Sequence, residues 1–185
     1  LELLTGLELV YQDGYLQYAR NQEGIPIIAM DDNRKLIGSS EARSILMEVI
    51  EHPSIITVYA AKDRPSFAQD REININRQQI DNFISGAINV NPLTLGYGMT
   101  FLHETLHTPI FGSLLDDETG TGPVVDRMNI VRSQLSAQGY NMGQRIVYKA
   151  YSIGNSYYLP FNLSAYGSLL QNQIPSKFGG YVVFK

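Results

Sequence analysis

The chain has 185 residues, of which 44% are hydrophobic and 17% charged, and this composition predicts a single globular domain over residues 1–185. The net charge of −4 argues against nucleic acid as a partner, and no apolar run reaches the ~18 residues that span a bilayer. The absence of cysteine excludes disulfides, thiolate metal sites and cysteine nucleophiles, and it suits a secreted protein.

Strand patterns dominate the first third of the chain. The runs Leu7–Tyr11 and Tyr15–Ala19 flank Asp13-Gly14, and an Asp-Gly pair between apolar runs predicts a β-hairpin. Later runs with the composition or alternation of strands are Ile55–Ala60, Ile73–Asn76 and Ala87–Val90.

The first long helix is expected between these groups of strands. Ser39 or Ser40 is predicted to cap it, and it should continue to about Glu51. His52 directly follows, where a histidine usually interacts with the last helix carbonyls, so we do not predict it as a ligand. The order of helices and strands is typical of the α+β class.

The most specific pattern in the chain is His103-Glu104-Thr105-Leu106-His107, a His-Glu-x-x-His motif. Two histidines four apart on a helix lie on the same face, where two neutral imidazoles can share a tetrahedral zinc. Glu104 lies one step round the helix and is expected to reach a water at the metal, as the base of a metal-assisted hydrolase requires.

An apolar stripe supports a helix at this motif. Its members recur at helical spacing beside the histidines: Leu95, Met99, Leu102 and Leu106. The helix is predicted to begin at Asn91 or Thr94 and to end at Thr108-Pro109. The alternative interpretation is that the two histidines are core residues satisfied by ordinary hydrogen bonds.

A third ligand is needed, because catalytic zinc has three protein ligands and one open position. No histidine follows His107, so the ligand must be a carboxylate. The downstream candidates are Asp116, Asp117, Glu118 and Asp126. We prefer Asp126, which lies 126 − 107 = 19 residues beyond the second histidine. That distance would let a second helix pass beneath the metal.

This second helix is predicted to begin at Pro123. Its apolar stripe is Val124, Met128, Val131 and Leu135. Asp126 faces away from that stripe and would therefore face the metal. The alternative is that Asp126 only interacts favourably with the helix dipole. The acidic triplet at 116–118 is then read as a solvated loop, with a calcium site as a further option.

Peptide hydrolysis also needs a donor for the oxyanion of the tetrahedral intermediate. The segment Gln144–Tyr148 offers Arg145 and Tyr148 in an Arg-x-x-Tyr spacing, and Tyr151 is a competing phenol. The alternative is a surface arginine beside a packed tyrosine.

Three segments together resemble the zincin metallopeptidases: residues 103–107, 120–129 and 144–148. The similarity is greatest to bacterial effector and Rhs-associated toxin proteases of the NleD type. The spacing from Gly120 to Asp126 is also similar to that in the Asp-zincins. The Arg-x-x-Tyr segment is similar to one in clostridial neurotoxin light chains. The resemblance implies an α+β zincin-like fold with a mixed sheet, a motif helix and a second helix that supplies the third ligand.

The resemblance also implies roles for individual residues. It implies that the zinc ligands are His103, His107 and Asp126. It also implies that the general base is Glu104 and that the oxyanion donors are Arg145 and Tyr148. Either Ile73–Asn76 or Ala87–Val90 would then pair with an extended peptide at the cleft.

These observations predict a Zn²⁺-dependent endopeptidase that acts on a protein or peptide. Because the first residue is not Met, we expect part of a longer polypeptide, and the resemblance suits an effector or toxin domain that is secreted or delivered into a target cell. The rival prediction is a non-catalytic zincin-like binding module of a secreted or surface protein. The Tyr- and Asn-rich segment Gly143–Lys185, expected to form loops and short strands, would suit such a binding surface.

Overall fold

The computed structural model describes residues 1–162 and 179–185, so residues 163–178 of the Tyr- and Asn-rich segment lie outside the described residues. The described ranges have the α+β class that the sequence predicts. Their helices are α1 Glu2–Thr5, α2 Ser40–Glu51, α3 Arg77–Ser85, α4 Tyr97–Leu106 and α5 Gly122–Ser136. None of these helices combines the length and the apolar character that crossing a bilayer requires.

The strands form two short antiparallel pairs and two larger sheets. The pairs are β1 Leu9–Gln12 with β2 Tyr15–Tyr18, and β3 Met30–Asp31 with β4 Arg34–Lys35. A three-stranded mixed sheet has the order β5 Thr57–Ala61, β7 Glu72–Asn76, β6 Phe67–Gln69. The last sheet is antiparallel and contains β8 Ala87–Ile88, β9 Gln144–Arg145, β10 Tyr151–Ile153, β11 Ser156–Asn162 and β12 Gly180–Phe184.

Local sequence signals produce the first hairpin and the second helix. Asp13 and Gly14 both have positive φ, 52° and 86°, as a two-residue type I′ turn requires, and β1 pairs with β2 around them. The Ser39 hydroxyl accepts a hydrogen bond of 3.0 Å from the backbone N–H of Ala42, which caps α2 at its first turn. Both predictions are confirmed.

The motif helix begins later than the sequence pattern predicts. Asn91 caps a separate 3₁₀ turn, Pro92–Leu95, and Gly96 then has an extended backbone that interrupts the helical path. The α-helix therefore begins only at Tyr97 and ends at Leu106. The stripe residue Leu95 consequently belongs to the turn and not to α4.

The main core lies between α2, α4 and α5, with α1 at its edge. The predicted stripe of α5 is fully buried, as are Leu102 and Leu106 of α4, so these two helices are held firmly against each other. Because α4 buries this face, its histidines lie at the border of the core. A second core lies under the antiparallel sheet: Val90, Leu95, Leu159, Phe161 and Val182.

Candidate metal centre

The two motif histidines occupy the end of α4. His103 lies in the last turn, and His107 follows as the C-cap residue with a helical backbone (φ −78°, ψ −9°). The one-turn spacing of the two side chains is therefore retained beyond the end of the helix. Their Nε2 atoms are 3.3 Å apart.

The chain after His107 turns back on itself and brings a carbonyl to this histidine. A 3₁₀ turn, Pro109–Phe111, is followed by Gly112 and Ser113, both with positive φ (74° and 52°). The carbonyl oxygen of Leu114 then lies 2.6 Å from His107 Nδ1. Because a carbonyl can only accept, Nδ1 must donate, and the neutral ring keeps its lone pair on Nε2.

Asp116, two residues further on, completes a group with both histidines. Its Oδ2 atom lies 3.2 Å from His103 Nε2 and 3.1 Å from His107 Nε2. Although these distances are short, both Asp116 oxygens are buried and accept no hydrogen bond from the described residues. Buried carboxylate oxygens are normally satisfied, and a bound cation would be one way to satisfy these two. Among the described residues, these three side chains form a group that could hold a metal ion.

The structure therefore places Asp116, and not the predicted Asp126, beside the two histidines. Asp126 is exposed near the start of α5, where it accepts a hydrogen bond of 2.5 Å from the Thr121 hydroxyl. It does face away from the apolar stripe of its helix, as predicted, but this direction leads to solvent and not to the histidines. A turn of 116 − 107 = 9 residues is enough to return the chain, so no second helix is needed.

The other two acidic candidates lie apart from the histidines. Asp117 accepts hydrogen bonds from the backbone N–H and hydroxyl of Thr119, at 2.8 and 2.7 Å. Glu118 is exposed and pairs with Lys149 at 3.4 Å. His52 also lies outside the group, and its Nδ1 accepts a hydrogen bond from the Ser54 N–H instead of interacting with helix carbonyls.

Gly122 holds the loop that carries Asp116. Its φ is +71°, and a Cβ at this position would overlap the backbone nitrogen of Asp117 and lie 2.9 Å from the carbonyl carbon of Asp116. We expect Gly122→Ala to displace this loop and to lower the affinity for zinc about 10-fold or more, as calorimetric titration would measure.

Gly24→Ala is the matched control for this variant. Gly24 also has a positive φ, +79°, but a Cβ there meets nothing within 4 Å. Both variants should lose about 1 kcal/mol of folding stability from backbone strain, and only Gly122→Ala should lose zinc affinity. Equal zinc affinities of the two variants would contradict this role of Gly122.

The group is accessible to solvent from one side. The side chains of His103 and His107 are 14% and 19% exposed, and that of Asp116 is 6% exposed. His103 and Glu104 line a cavity of about 300 Å³. The two histidine rings are therefore not fully enclosed by protein. A larger cavity of about 850 Å³ beside the β1–β2 hairpin is lined by none of these residues.

Glu104 is buried against this cavity, with 7% of its surface exposed. Burial raises the pKa of Glu104 to about 7, and the nearby Asp116 carboxylate acts in the same direction. His107 and the backbone N–H of Ala68 in β6 oppose this rise. A carboxyl group with a pKa near 7 can both accept and return a proton at neutral pH.

The two histidines differ in their electrostatic surroundings. Burial lowers the pKa of His103 to about 4, so this ring is neutral at pH 7 and offers a lone pair. Burial would also lower the pKa of His107, but the Asp116 carboxylate and the Leu114 carbonyl outweigh it and raise this pKa. Although burial alone would raise the pKa of Asp116, the close approach of both histidines holds it well below its usual range.

Arg145 and Tyr148 also border the cavity. The Tyr148 ring stacks parallel to that of His103, with centroids 6.4 Å apart. Burial raises the pKa of Tyr148, and the Asp116 and Glu104 carboxylates add to this, so its hydroxyl remains a donor. Arg145 donates to the carbonyls of Val147 and Tyr148. Tyr151, by contrast, is exposed on β10 and does not line the cavity.

Arg132 is a residue of this cavity that the sequence analysis did not identify. It lies on the buried side of α5, only 2% exposed. A sequence signal for it exists: Arg132 follows the stripe residue Met128 by four positions, so an arginine falls where the helix is otherwise apolar.

Comparison of the chain with family models, with curated proteins and with solved structures finds no match in any of the three.

Proposed function

We propose that this protein is a zinc-dependent endopeptidase with a zincin-like site. The observation that carries the proposal is the convergence of His103 Nε2, His107 Nε2 and Asp116 Oδ2, three electron-pair donors, with the Asp116 oxygens buried and without hydrogen bonds in the described ranges. Three lone pairs this close repel one another unless a cation lies between them.

The spacing of these atoms fits zinc. Zinc binds nitrogen and carboxylate oxygen at about 2.0–2.1 Å, so two ligands of a tetrahedral site are about 3.3 Å apart. The three donor–donor distances are 3.1, 3.2 and 3.3 Å. The donation from His107 Nδ1 to the Leu114 carbonyl adds support, because metal-bound histidines usually hold their second nitrogen in this way. Two histidines and one carboxylate leave the fourth position open, as in catalytic sites.

Glu104 is the proposed general base. When bound, zinc would supply Lewis acidity that polarises a carbonyl and lowers the pKa of water. Glu104 would accept the proton of the attacking water and pass it to the leaving amine. Its place at the wall of the cavity, next to His103, gives it access to both the water and the substrate.

Tyr148 and Arg145 are the proposed donors to the oxyanion. Tyr148 carries a phenol beside His103, and Arg145 lies behind it, with its guanidinium carbon 5.1 Å from the Tyr148 ring centroid. The Arg145 guanidinium would stabilise the negative charge that develops on the oxyanion, and the Tyr148 phenol would donate a hydrogen bond to that oxygen.

Strand β6 is the proposed binding edge for an extended peptide. Neither of the two strands expected from the sequence fits this role, because β7 already has a neighbour on both sides and β8 belongs to the other sheet. By contrast, β6 is an edge strand, packs beside α4 and has its Ala68 N–H directed at Glu104. Main-chain hydrogen bonds to this edge would align a peptide with the centre. The cysteine-free sequence suits an enzyme that is secreted or delivered into another cell.

The proposal is tested by measuring zinc and hydrolysis together. We expect protein purified without added zinc to carry one zinc per chain and to cleave a randomised library of quenched fluorescent peptides. A chelator should stop cleavage, and zinc should restore it. At free zinc 100-fold above the dissociation constant, the metal should stabilise the fold by about 2.7 kcal/mol in a thermal melt.

The chain offers a matched pair of variants for this test. His103→Asn removes a proposed ligand, whereas His52→Asn removes the histidine that lies outside the group. Only His103→Asn should lose zinc and hydrolysis. A parent protein that carries no metal, is as stable without zinc as with it and hydrolyses no peptide would instead support the rival function, a non-catalytic binding module.

A further inference from the structure

The cavity next to the candidate metal centre is rich in positive charge. Besides His103 and Glu104 it is lined by three cationic side chains, Arg132, Arg145 and Lys149. Glu104 is the only acidic residue that lines it in the described part of the chain. This is unexpected in a protein whose net charge is −4.

Arg132 is the most unusual of these lining residues, because its charge is buried without an acidic partner in the described part of the chain. No carboxylate of the described residues forms an ion pair with it. Its acceptors are the hydroxyl and carbonyl of Thr94 and the amide oxygen of Asn129, all at 3.2 Å. A guanidinium has five N–H groups, so two remain without an acceptor in the described ranges. Burying an unpaired charge costs several kcal/mol, which indicates a functional role.

Arg145 adds a second charge that has no ion-pair partner among residues 1–162 and 179–185. Its donors reach the carbonyls of Val147 and Tyr148, and no described carboxylate lies within ion-pair distance. Burial, together with the charge of Arg145, lowers the pKa of Arg132 to about 9. Two neighbouring guanidinium groups therefore repel each other, and an anion between them would relieve this repulsion.

The rest of the lining is mixed: Met99, Leu159 and Phe184 are among its apolar members, and its polar members include Ser66, Gln79 and Thr100. A cavity of about 300 Å³ is at the lower limit for a small-molecule site and suits a single side chain or chain end. A lining that combines apolar side chains with cations matches an aliphatic stem that ends in a carboxylate. Guanidinium and carboxylate groups also pair in a planar, two-pronged geometry.

We propose that this cavity binds a carboxylate of the peptide substrate, with Arg132 as its principal partner and the more exposed Lys149 as a weaker one. The carboxylate belongs either to an acidic side chain next to the scissile bond or to the C-terminus of the substrate. That the ligand is a peptide rests on the proposed function. The anion site itself needs neither zinc nor hydrolysis.

The test measures binding without turnover. The protein carries Glu104→Gln so that peptides stay intact, and NMR titrations are made with and without zinc. One peptide pair is acetyl-Ala-Ala-Glu-Ala-Ala-amide and its Gln analogue; the other is acetyl-Ala-Ala-Ala with a free or an amidated C-terminus. We expect one carboxylate peptide to bind about 10- to 100-fold more tightly than its neutral partner, because hydrogen bonds to charged groups contribute about 1.5–3 kcal/mol. The pair that shows the preference identifies the source of the carboxylate.

Three variants separate recognition from a structural role. Arg132→Met should reduce the preference to less than about 3-fold while leaving the affinity for the neutral peptide unchanged. Lys149→Gln should reduce it by a smaller factor, and Lys35→Gln on β4, outside the cavity, should leave it intact. Should Arg132→Met fail to fold, the carboxylate preferences of the parent protein and of Lys149→Gln still test the proposal.

Two results would overturn the proposal: equal binding of both members of each pair, or no binding of any peptide up to millimolar concentration. Loss of zinc binding or of hydrolysis with the carboxylate preference intact would contradict only the peptidase function. The two hypotheses can thus fail separately.

Discussion

Glu104→Gln is expected to reduce peptide hydrolysis by about 10²- to 10⁴-fold, the usual contribution of a general base. The amide has nearly the shape of the carboxylate but cannot accept the proton of a water. Zinc affinity should change little, because Glu104 is not one of the three residues grouped for the metal. Cleavage of the randomised peptide library and zinc titration on the same preparation check both expectations.

Glu118→Gln is the control for this change. Glu118 is an exposed glutamate only two residues from Asp116, and its partner is Lys149 on the surface. This variant makes the same chemical change close to the site without touching the proposed base. We expect it to cleave within about 3-fold of the parent, since exposed ion pairs contribute little. A Glu104→Gln enzyme that is as active as Glu118→Gln would rule out the mechanism.

Asp116→Asn is expected to lower zinc affinity by more than about 100-fold and to abolish hydrolysis. The change removes the one negative charge among the three proposed ligands. Groups that only orient zinc ligands already contribute 10- to 100-fold in affinity, so a ligand itself should contribute more. Calorimetric titration of the chelator-treated protein with zinc measures this loss.

Asp126→Asn distinguishes the two aspartates. Asp126 is exposed and bonded to Thr121, so its replacement should leave zinc affinity within about 3-fold of the parent. Folding stability should fall by no more than about 1 kcal/mol, from the lost interaction with the start of α5. The opposite outcome, with zinc lost in Asp126→Asn and retained in Asp116→Asn, would restore the ligand set implied by the zincin resemblance.

Features that depend on neighbouring residues could be predicted from the sequence. The Asp13-Gly14 hairpin, the Ser39 cap and the stripe of α5 each follow from contacts within a few positions of the chain. The same holds for the closeness of His103 and His107, because a separation of four residues on a helix determines it.

The third member of the metal group depended on tertiary structure instead. Sequence spacing left four acidic candidates, and the preference for Asp126 assumed that a second helix must bring the carboxylate. In the fold, positive φ at Gly112 and Ser113 returns the chain within nine residues, and Gly122 leaves room for the loop of Asp116. No local pattern encodes this path, because it depends on a backbone conformation that serine adopts only rarely.

The cationic cavity likewise required the tertiary structure. Arg132, Arg145 and Lys149 come from α5, β9 and the loop after it, and only the packing of these elements beside α4 brings them to one cavity. Sequence alone determined that this chain forms an α+β domain with two histidines one helical turn apart, because those features are local. The tertiary structure decided which carboxylate joins them and which charges face them, because these depend on long-range contacts between separate elements.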